Sequence, residues 1–286
     1  MTAELVADYA CEIGEGPVWH PDEERLYWAD IPNGTLYRYD PATDTHGTVL
    51  SDTVVSGGTI QSDGSLLLFG AGGAVYRWAG AETETVATLD TAAHTRFNDV
   101  IADPRGRVFC GTMPTDDQLG TLFRLDRDGT FTRILDEVDI PNGMAFSADR
   151  ETFYFTASDE NAIYAFDYDI ESGSISDRSV LVDTSDEAGV PDGLAIDERG
   201  DLWSARWGGN AVVRYSPEGV ERERVDVPVE KVSCATFGGP SFDTLYVTTA
   251  GGDERPTGGE LDGSLFRYEP DTTGGAQFYS RVLVDE

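Results

Sequence analysis

The segment from Gly16 to Pro41 reads GPVWHPDEERLYWADIPNGTLYRYDP, and its pattern decides the fold. A short apolar strand is followed by a polar turn, an aromatic strand, an Asn-Gly turn and a third strand ending in Tyr-Asp-Pro. Alternating apolar and polar residues are typical of β-strands, and Asn-Gly between two such runs is typical of a hairpin turn. The segment therefore predicts an antiparallel unit of consecutive strands.

The same order of strands and turns returns at Asn142–Asp169 and at Asp192–Gly219, and a fourth strand often follows, as at 132–135 and 180–182. Aligning the first strands gives six copies, spaced by 42, 41, 44, 50 and 41 residues. The residues just ahead of these strands are Glu15, Gly57, Asn98, Asn142, Asp192 and Ser233. Four strands in about 45 residues are typical of one β-propeller blade. The chain is therefore predicted to be all-β, a six-bladed β-propeller with four-stranded antiparallel blades around a central channel, as one domain over residues 1–286.

Closing the ring requires one terminus to complete the last blade. The segment Glu4–Asp8 has the pattern of an outer strand ahead of the first unit, which makes the N-terminus a good candidate. The segment Arg281–Val284 has a similar pattern. The sequence leaves both possibilities open.

The net charge of the chain is extreme and excludes some partners. The 286 residues include 53 Asp and Glu against 20 Lys and Arg, which gives a formal charge of -33, and the one lysine is Lys231. Binding of nucleic acid or of an anionic membrane needs clustered basic residues, so neither is expected as a partner. The acids are spread along the chain, which favours adaptation to a salt-filled cytoplasm over an ordinary acidic protein.

The expected compartment is the cytoplasm. The N-terminus has no basic start and no apolar run, and no stretch approaches the ~18 apolar residues that span a bilayer. Three widely spaced cysteines, Cys11, Cys110 and Cys234, match no zinc pattern and no disulfide framework. They are expected to be buried thiols. The oligomeric state is not visible in the sequence.

Four blades place an oxygen-bearing polar side chain at the aligned position: Glu15, Asn98, Asn142 and Asp192. First strands of propeller blades line the central channel, so these side chains are expected to converge on one axis. Carboxylate and amide oxygens are the ligands that hard divalent cations prefer. The alternative is that Asn142-Gly143 and Asp192-Gly193 are only turns that open a blade.

Six short segments then identify a family, in order along nearly the whole chain. They are Ile13-Gly14-Glu15-Gly16-Pro17-Val18-Trp19, Arg96-Phe97-Asn98-Asp99, Gly111-Thr112-Met113, Pro141-Asn142-Gly143-Met144-Ala145, Pro191-Asp192-Gly193-Leu194-Ala195 and Cys234-Ala235-Thr236-Phe237-Gly238-Gly239. At these residues the sequence resembles the gluconolactonase and regucalcin (senescence marker protein) family of six-bladed propellers. With the acidic composition, the resemblance implies a sugar lactonase of a halophile.

The resemblance also implies roles for individual residues. One divalent cation would be held by Glu15, Asn142 and Asp192, and calcium, magnesium, manganese, zinc and ferrous iron all tolerate such an oxygen site. Arg96 and Asn98 would face the substrate. In the family an acidic residue from the following loop can also reach the substrate, and Asp116 or Asp117 could fill that role here. Where the family often continues Asn-Asp with Gly-Lys, this chain has Val100-Ile101, which removes a basic group.

The resemblance implies metal-dependent hydrolysis of a sugar lactone, such as xylonolactone, arabinonolactone or gluconolactone, to the aldonic acid in oxidative sugar degradation. Asp192 or a metal-bound water would be the base, and whether Asp192 only ligates the cation stays open. Two alternatives remain: a phosphotriesterase-like hydrolase on the same propeller, and a non-catalytic calcium-binding regulatory protein. A Ser-His-Asp hydrolase or a histidine zinc site is disfavoured because neither motif occurs and His20, His46 and His94 do not cluster.

Overall fold

Each repeated unit folds into one sheet, because its strands follow one another through short turns and pair with their chain neighbours. In the computed structural model, residues 2–90, 95–255 and 257–284 are described, so His94 lies outside the described residues. Within them, 24 strands form six four-stranded antiparallel sheets, and the one helical segment is a 3-10 turn at Gly252–Glu254. The predicted six-bladed propeller is confirmed.

The first three blades follow the chain directly, from the innermost strand outward. Blade 1 contains β2 (Gly14–His20), β3 (Arg25–Asp30), β4 (Thr35–Asp40) and β5 (Thr45–Leu50). Blade 2 contains β6 (Val55–Ile60), β7 (Leu66–Gly70), β8 (Ala74–Trp78) and β9 (Thr83–Thr88). Blade 3 contains β10 (Phe97–Ala102), β11 (Val108–Thr112), β12 (Gly120–Leu125) and β13 (Phe131–Val138).

Blades 4 and 5 repeat this order, and blade 6 differs in its outer strand. Blade 4 contains β14 (Pro141–Phe146), β15 (Thr152–Ala157), β16 (Ala162–Asp169) and β17 (Ser174–Asp183). Blade 5 contains β18 (Val190–Ile196), β19 (Leu202–Trp207), β20 (Ala211–Tyr215) and β21 (Glu221–Asp226). Blade 6 contains β22 (Val232–Gly238), β23 (Thr244–Thr249), β24 (Leu265–Tyr268) and, from the N-terminus, β1 (Glu4–Ala7).

The N-terminal strand closes the ring. Strand β1 pairs antiparallel with β24, with Leu5 opposite Phe266. The other candidate, 281–284, forms no strand, and Leu283 instead donates its N–H to the carbonyl of Arg127 on blade 3. The structure therefore decides the question of closure in favour of the N-terminus.

The hydrophobic core is divided among the blade interfaces. Trp203 of blade 5 packs with Phe237 of blade 6 in one cluster, and Trp19 of blade 1 packs with Tyr246 of blade 6 in another. Four further clusters join the remaining neighbours around the ring. Because each blade buries both faces against a neighbour, the ring is stabilised by burial of apolar area at every interface.

The innermost strands β2, β6, β10, β14, β18 and β22 contact one another in a closed ring and enclose the channel. Residues 269–284 cross the end of the channel where these strands finish. Backbone bonds tie this C-terminal segment to several blades: Gly274 N–H to Phe242, Ser280 N–H to Ile60 and Arg281 N–H to Gly106. The described residues contain no helix of the length and apolarity that would span a bilayer.

Candidate active site

A β-bulge in the inner strand of blades 3, 4 and 5 aims side chains at the channel. In β10, Phe97 pairs with Thr112 and the next pair is Val100 with Cys110, so two residues oppose one. The same skip follows Pro141 in β14 and Pro191 in β18. The first residue of each bulged pair is Asn98, Asn142 or Asp192. A bulge changes the direction of the side chains within it. The three bulges occur at the same step of the strand register, here called one level, and this level contains three of the predicted site residues.

Glu15 reaches the site from a different level, which corrects the sequence alignment. Glu15 pairs with Ala29 and Val18 with Tyr27, so Glu15 is level with Phe97 and stands one residue ahead of Asn98. Of the marker residues, Asn98, Asn142, Asp192 and Ser233 share one level. In blade 2 the residue at this level is Ser56, with Gly57 one residue later.

Gly16 makes the position of Glu15 possible. Its φ of +55° lies in the left-handed region, and a Cβ there would stand 2.8 Å from the Cα of Gly57 and 2.9 Å from the carbonyl oxygen of Ser56. Its N–H donates a 2.7 Å hydrogen bond to Oε2 of Glu15. A side chain at position 16 would therefore be strained and would displace the neighbouring blade.

A directional chain of hydrogen bonds orients the amides. Nη1 of Arg96 donates to Oδ1 of Asn98 at 2.9 Å, and Nδ2 of Asn98 donates to Oδ1 of Asn142 at 2.9 Å. Nδ2 of Asn142 donates to Oγ of Ser158 at 2.9 Å, and that hydroxyl donates to the carbonyl of Pro191 at 2.7 Å. Because Ser158 uses its proton on Pro191, it can only accept from Asn142. The network therefore assigns the amide orientation that leaves Oδ1 of Asn142 beside Asn98.

Three buried carboxylates occupy the channel: Glu15 is 6% exposed, Asp99 9% and Asp192 6%. Burial raises the pKa of Glu15 well above its usual range, and the charges of Asp99 and Asp192 raise it further. Burial likewise raises the pKa of Asp99 to about 7. The pKa of Asp192 is raised well above its usual range by burial and then by Asp99. These three groups, with Arg96, Asn98 and Asn142, are called the channel cluster.

Arg96 is the cation that acts on all three carboxylates of the channel cluster. Burial lowers the pKa of its guanidinium, and the carboxylates oppose that effect. One guanidinium against three carboxylates leaves two negative charges when all four groups are ionised. Holding such charge in a buried site is costly without a further cation.

The donor set fits one divalent cation. Within the described ranges no protein group donates a hydrogen bond to the carboxylate of Asp99 or Asp192, although both are buried. Buried charges are otherwise paired or coordinate metals. No three His, Cys, Asp or Glu side chains among the described residues form a ready-made metal centre. The predicted set of ligands is different in kind, because it combines the carboxylates of Glu15 and Asp192 with the amide oxygen of Asn142.

Sequence reasoning gave no role at the site to two residues of this region, Asp99 and Cys234. Asp99 is the second residue of the bulged pair in blade 3, where blades 4 and 5 have Gly143 and Gly193. Asp99 could have been identified from the sequence, because the equivalent residues of blades 4 and 5 are glycines. Burial raises the pKa of the Cys234 thiol well above its usual range, and the three carboxylates add to the shift. All three cysteines are free and buried, as predicted.

The two loop acids are exposed to solvent, unlike the buried carboxylates of the channel cluster. Asp116 and Asp117 are exposed in the loop between β11 and β12, whose turn is closed by Thr115 N–H donating to the carbonyl of Gln118. The base of the loop is tied to the site, because Met113 N–H donates to the carbonyl of Arg96 at 3.0 Å. Their predicted contact with a substrate stays a prediction.

Below the cluster the channel widens into a cavity of about 280 Å³, here called the lower chamber. Asp99 and Cys234 belong to its wall, along with the apolar side chains of Met144, Phe237 and Phe278. Phe278 belongs to the C-terminal segment that crosses this end of the channel. Asp99 is therefore the one carboxylate of the channel cluster that also faces the lower chamber.

The chain is similar to known proteins in both sequence and fold. The family described as SMP-30/Gluconolactonase/LRE-like region matches residues 13–251. The pentonolactonase XacC of Haloferax volcanii is 51% identical over 292 residues, which cover 99% of this chain and 100% of that protein. A regucalcin of Macaca fascicularis is 35% identical over 265 residues, 89% of each chain. The crystal structure of regucalcin from Agrobacterium tumefaciens, a calcium-binding protein, has a TM-score of 0.90 at 25% identity and covers 98% of each chain.

Proposed function

Because the chain belongs to the SMP-30/gluconolactonase/LRE-like family, we propose that it is a lactonase that opens the ring of a sugar lactone to give the aldonic acid. The observation that carries the proposal is the channel cluster, in a chain 51% identical over its length to a pentonolactonase. That relative favours an aldonolactone of a pentose, such as xylonolactone or arabinonolactone, over gluconolactone. The reaction would belong to oxidative sugar degradation.

The proposed cofactor is one divalent cation held by Glu15, Asn142 and Asp192. A cation held by these residues would polarise the lactone carbonyl and would stabilise negative charge on its oxygen. The Ser158 hydroxyl supports this role by fixing the amide of Asn142. Calcium, magnesium, manganese, zinc and ferrous iron all suit the ligand set.

Arg96 is proposed to orient the substrate. Only Nη1 of its guanidinium is engaged, with the carbonyl of Phe97 and Oδ1 of Asn98. Nε and Nη2 have no hydrogen-bond partner among the described residues and can donate to ring or hydroxyl oxygens. Both amide hydrogens of Asn98 are already used, on Pro141 and Asn142, so Asn98 offers a substrate only an acceptor and otherwise holds Arg96 in place.

Asp192 is proposed to accept the proton of the attacking water. Its carboxylate receives no hydrogen bond from the described part of the chain, so it is free to face a water molecule. Burial raises its pKa, which makes it a stronger base than an exposed aspartate once it is ionised. The proton passes to the ring oxygen as the ring C–O bond breaks, and the new carboxylic acid then releases its own proton to give the aldonate.

The test is a panel of sugar lactones assayed by acid release, on chelator-treated protein to which single metals are returned, in KCl. We expect turnover only with a divalent cation, and higher kcat/KM on pentonolactones than on gluconolactone. An aryl phosphotriester in the same panel tests the phosphotriesterase alternative. Turnover of the phosphotriester without turnover of any lactone would overturn the proposal.

The non-catalytic alternative has one specific observation in its favour, the calcium-binding description of the Agrobacterium neighbour. It predicts tight calcium binding without ring opening. Direct titration of calcium beside the lactone panel separates the two functions. The spare donors of Arg96 favour the enzyme, because a calcium buffer has no need of an oriented guanidinium.

The working environment is proposed to be a high-salt cytoplasm. The supporting observations are the net charge of -33 and the Haloferax relative, which comes from a halophile. Molar salt screens repulsion among exposed carboxylates within a few ångströms. A melting series in KCl is the check, and maximal stability in dilute buffer would contradict the proposal.

A further inference from the structure

We propose that Asp99 brings the metal-loaded site to zero net charge, and that this lets the enzyme bind a neutral lactone yet release the anionic aldonate. The inference rests on the proposed function and concerns a residue to which the sequence comparison assigned no role. Asp99 would thus determine the selectivity of the site between substrate and product.

The placement of Asp99 is peculiar to blade 3. It is the second residue of a bulged pair, and the matching residues of blades 4 and 5 are Gly143 and Gly193. A Cβ on Gly143 would lie 2.4 Å from the backbone nitrogen of Leu194, and one on Gly193 would lie 2.3 Å from Sγ of Cys234. Those two blades have no room for a side chain at this level. Blade 3 has the room, and a carboxylate occupies it.

Asp99 has no structural task that explains its burial. It is 9% exposed, and none of the described residues donates a hydrogen bond to its carboxylate. A buried acid kept for stability is normally held by several donors, because leaving it bare is destabilising. The carboxylate of Asp99 instead interacts electrostatically with Glu15, Asp192 and Arg96.

The charges of the site then balance. Glu15, Asp99 and Asp192 are opposed by Arg96, which leaves two negative charges, and a divalent cation neutralises them. If Asp99 were neutral, the loaded site would have one positive charge. Charges at close range inside a protein are weakly screened, so a single uncompensated charge would be felt by any bound ion.

The net charge of the loaded site matters because the reaction converts a neutral substrate into an anionic product. Water adds to the lactone carbonyl, the ring C–O bond breaks, the former ring oxygen becomes a hydroxyl, and one proton is released from the new carboxylic acid. The substrate is neutral and the product is an anion whose carboxylate is a good ligand for a hard cation. A positively charged site would retain the aldonate, whereas a neutral site favours it much less.

The test compares the wild-type protein with Asp99→Asn, which removes the charge and keeps the shape. Calorimetry without turnover measures the Kd of Mn²⁺ and, on the manganese-loaded protein, the Kd of xylonate. We expect Asp99→Asn to bind Mn²⁺ at least tenfold more weakly and xylonate at least tenfold more tightly. In the assay, product inhibition by xylonate should strengthen by a similar factor, while KM for the lactone changes less than threefold.

Two control variants separate the effect of the charge at position 99 from a structural effect and from the net charge of the protein. Asp99→Glu restores the charge and should recover wild-type affinity for xylonate, which a purely structural role would not predict. Asp136→Asn changes the net charge equally at an exposed position and should leave both affinities unchanged. Asp99→Ser replaces Asp99→Asn if circular dichroism finds the latter unfolded.

Unchanged xylonate affinity in the folded, charge-free variant would overturn the proposal. A wild-type protein that opens no lactone would overturn the proposed function instead. The two failures are distinguishable, because the affinities for metal and carboxylate anion are measured without catalysis.

Discussion

Two groups of buried carboxylates in this propeller differ in what surrounds them. Asp103 lies just after the inner strand of blade 3, is fully buried, and accepts hydrogen bonds from the N–H groups of Arg105 and Arg107, from Nε of Arg107 and from the hydroxyl of Tyr168. Asp99, four residues earlier in the chain, is also buried but accepts no such bond from the described residues. Hydrogen bonds from the protein therefore stabilise Asp103, whereas the described residues supply none to Asp99.

Blade 5 repeats the contrast. Asp197 follows its inner strand and accepts from the N–H groups of Arg199 and Asp201 and from Nε1 of Trp203, beside the guanidinium of Arg214. Asp192, five residues earlier, belongs to the channel cluster. In both blades an acid of the channel cluster lies near the start of the inner strand, and a hydrogen-bonded acid lies just after its end. Burial alone therefore does not separate Asp192 from Asp197, whereas the supply of hydrogen-bond donors does.

The largest expected effect is the loss of activity when Asp192, a buried acid of the channel cluster, is replaced. Asp192→Asn should lower kcat/KM by about 10³-fold, because a group that stabilises the transition state is lost. The same variant should melt no lower than wild type in the metal-free state, since it removes one of three repelling charges. Lactone assays and thermal melts are the measurements. Near-normal turnover would refute the assignment of Asp192.

The next largest effect is the loss of stability when Asp103, a buried acid that accepts several hydrogen bonds, is replaced. Asp103→Ala should lower the free energy of unfolding by about 3 kcal/mol, because Arg107 and Tyr168 lose a buried charged partner. kcat/KM of the folded protein should stay within twofold of wild type. Urea denaturation and the lactone assay measure the two quantities. A variant of normal stability but low activity would reverse the comparison between the two groups.

A smaller effect is expected in the pH dependence of the free energy of unfolding, measured without metal on wild type and Asp99→Asn. A carboxyl whose pKa is higher in the folded protein binds more protons when folded, so the free energy of unfolding falls as pH rises between the two pKa values. For Asp99 that window runs from about 4 in the unfolded chain to about 7 in the folded protein. Wild type should lose on the order of 2 kcal/mol more than Asp99→Asn across this window.

The matched control is the same series with saturating cation. The difference between wild type and Asp99→Asn over this pH window should then disappear, because the bound cation favours the ionised carboxylates. Urea melts at each pH measure the effect. Equal pH dependence of the two metal-free proteins would count against charge crowding in the channel.

The smallest expected effect belongs to exposed acids. Asp136 pairs with Arg133 at 3.0 Å, with both side chains more than half exposed. Asp136→Asn should change the free energy of unfolding by less than about 0.5 kcal/mol in dilute salt, and by less still in molar KCl, since exposed ion pairs are screened. A loss comparable to that of Asp103→Ala would show that exposure does not separate the two kinds of acid.

Much of the fold was predictable because the signal repeats. The strand, turn and aromatic pattern recurs six times, and each copy reinforces the inference from the others. Which terminus completes the last blade was not predictable, since Glu4–Asp8 and Arg281–Val284 both have the sequence pattern of a strand. Pairing of Leu5 with Phe266 decided it, and that pairing joins residues from opposite ends of the chain.

The candidate site was predictable in its members more than in its geometry. Glu15, Asn98, Asn142 and Asp192 were selected as one aligned level, yet Glu15 stands one residue ahead and is brought in by the left-handed turn at Gly16. Asp99 was quoted in a motif but given no task, because a sequence does not reveal where a bulge aims the second residue. Asp116 and Asp117 lie in an exposed loop, and their contact with a substrate stays a prediction.

The sequence by itself determined the six-fold repeat, the antiparallel four-stranded units, the acidic surface and the residue types available to the channel. These follow from local periodicity and composition, which any stretch of chain displays on its own. Only the tertiary structure decided how the ring closes, which acids are saturated and which are bare, and that Asp99 joins Glu15 and Asp192 around one guanidinium. Those features depend on distances between residues far apart in the chain, and hydrogen bonding and charge respond to distance in space.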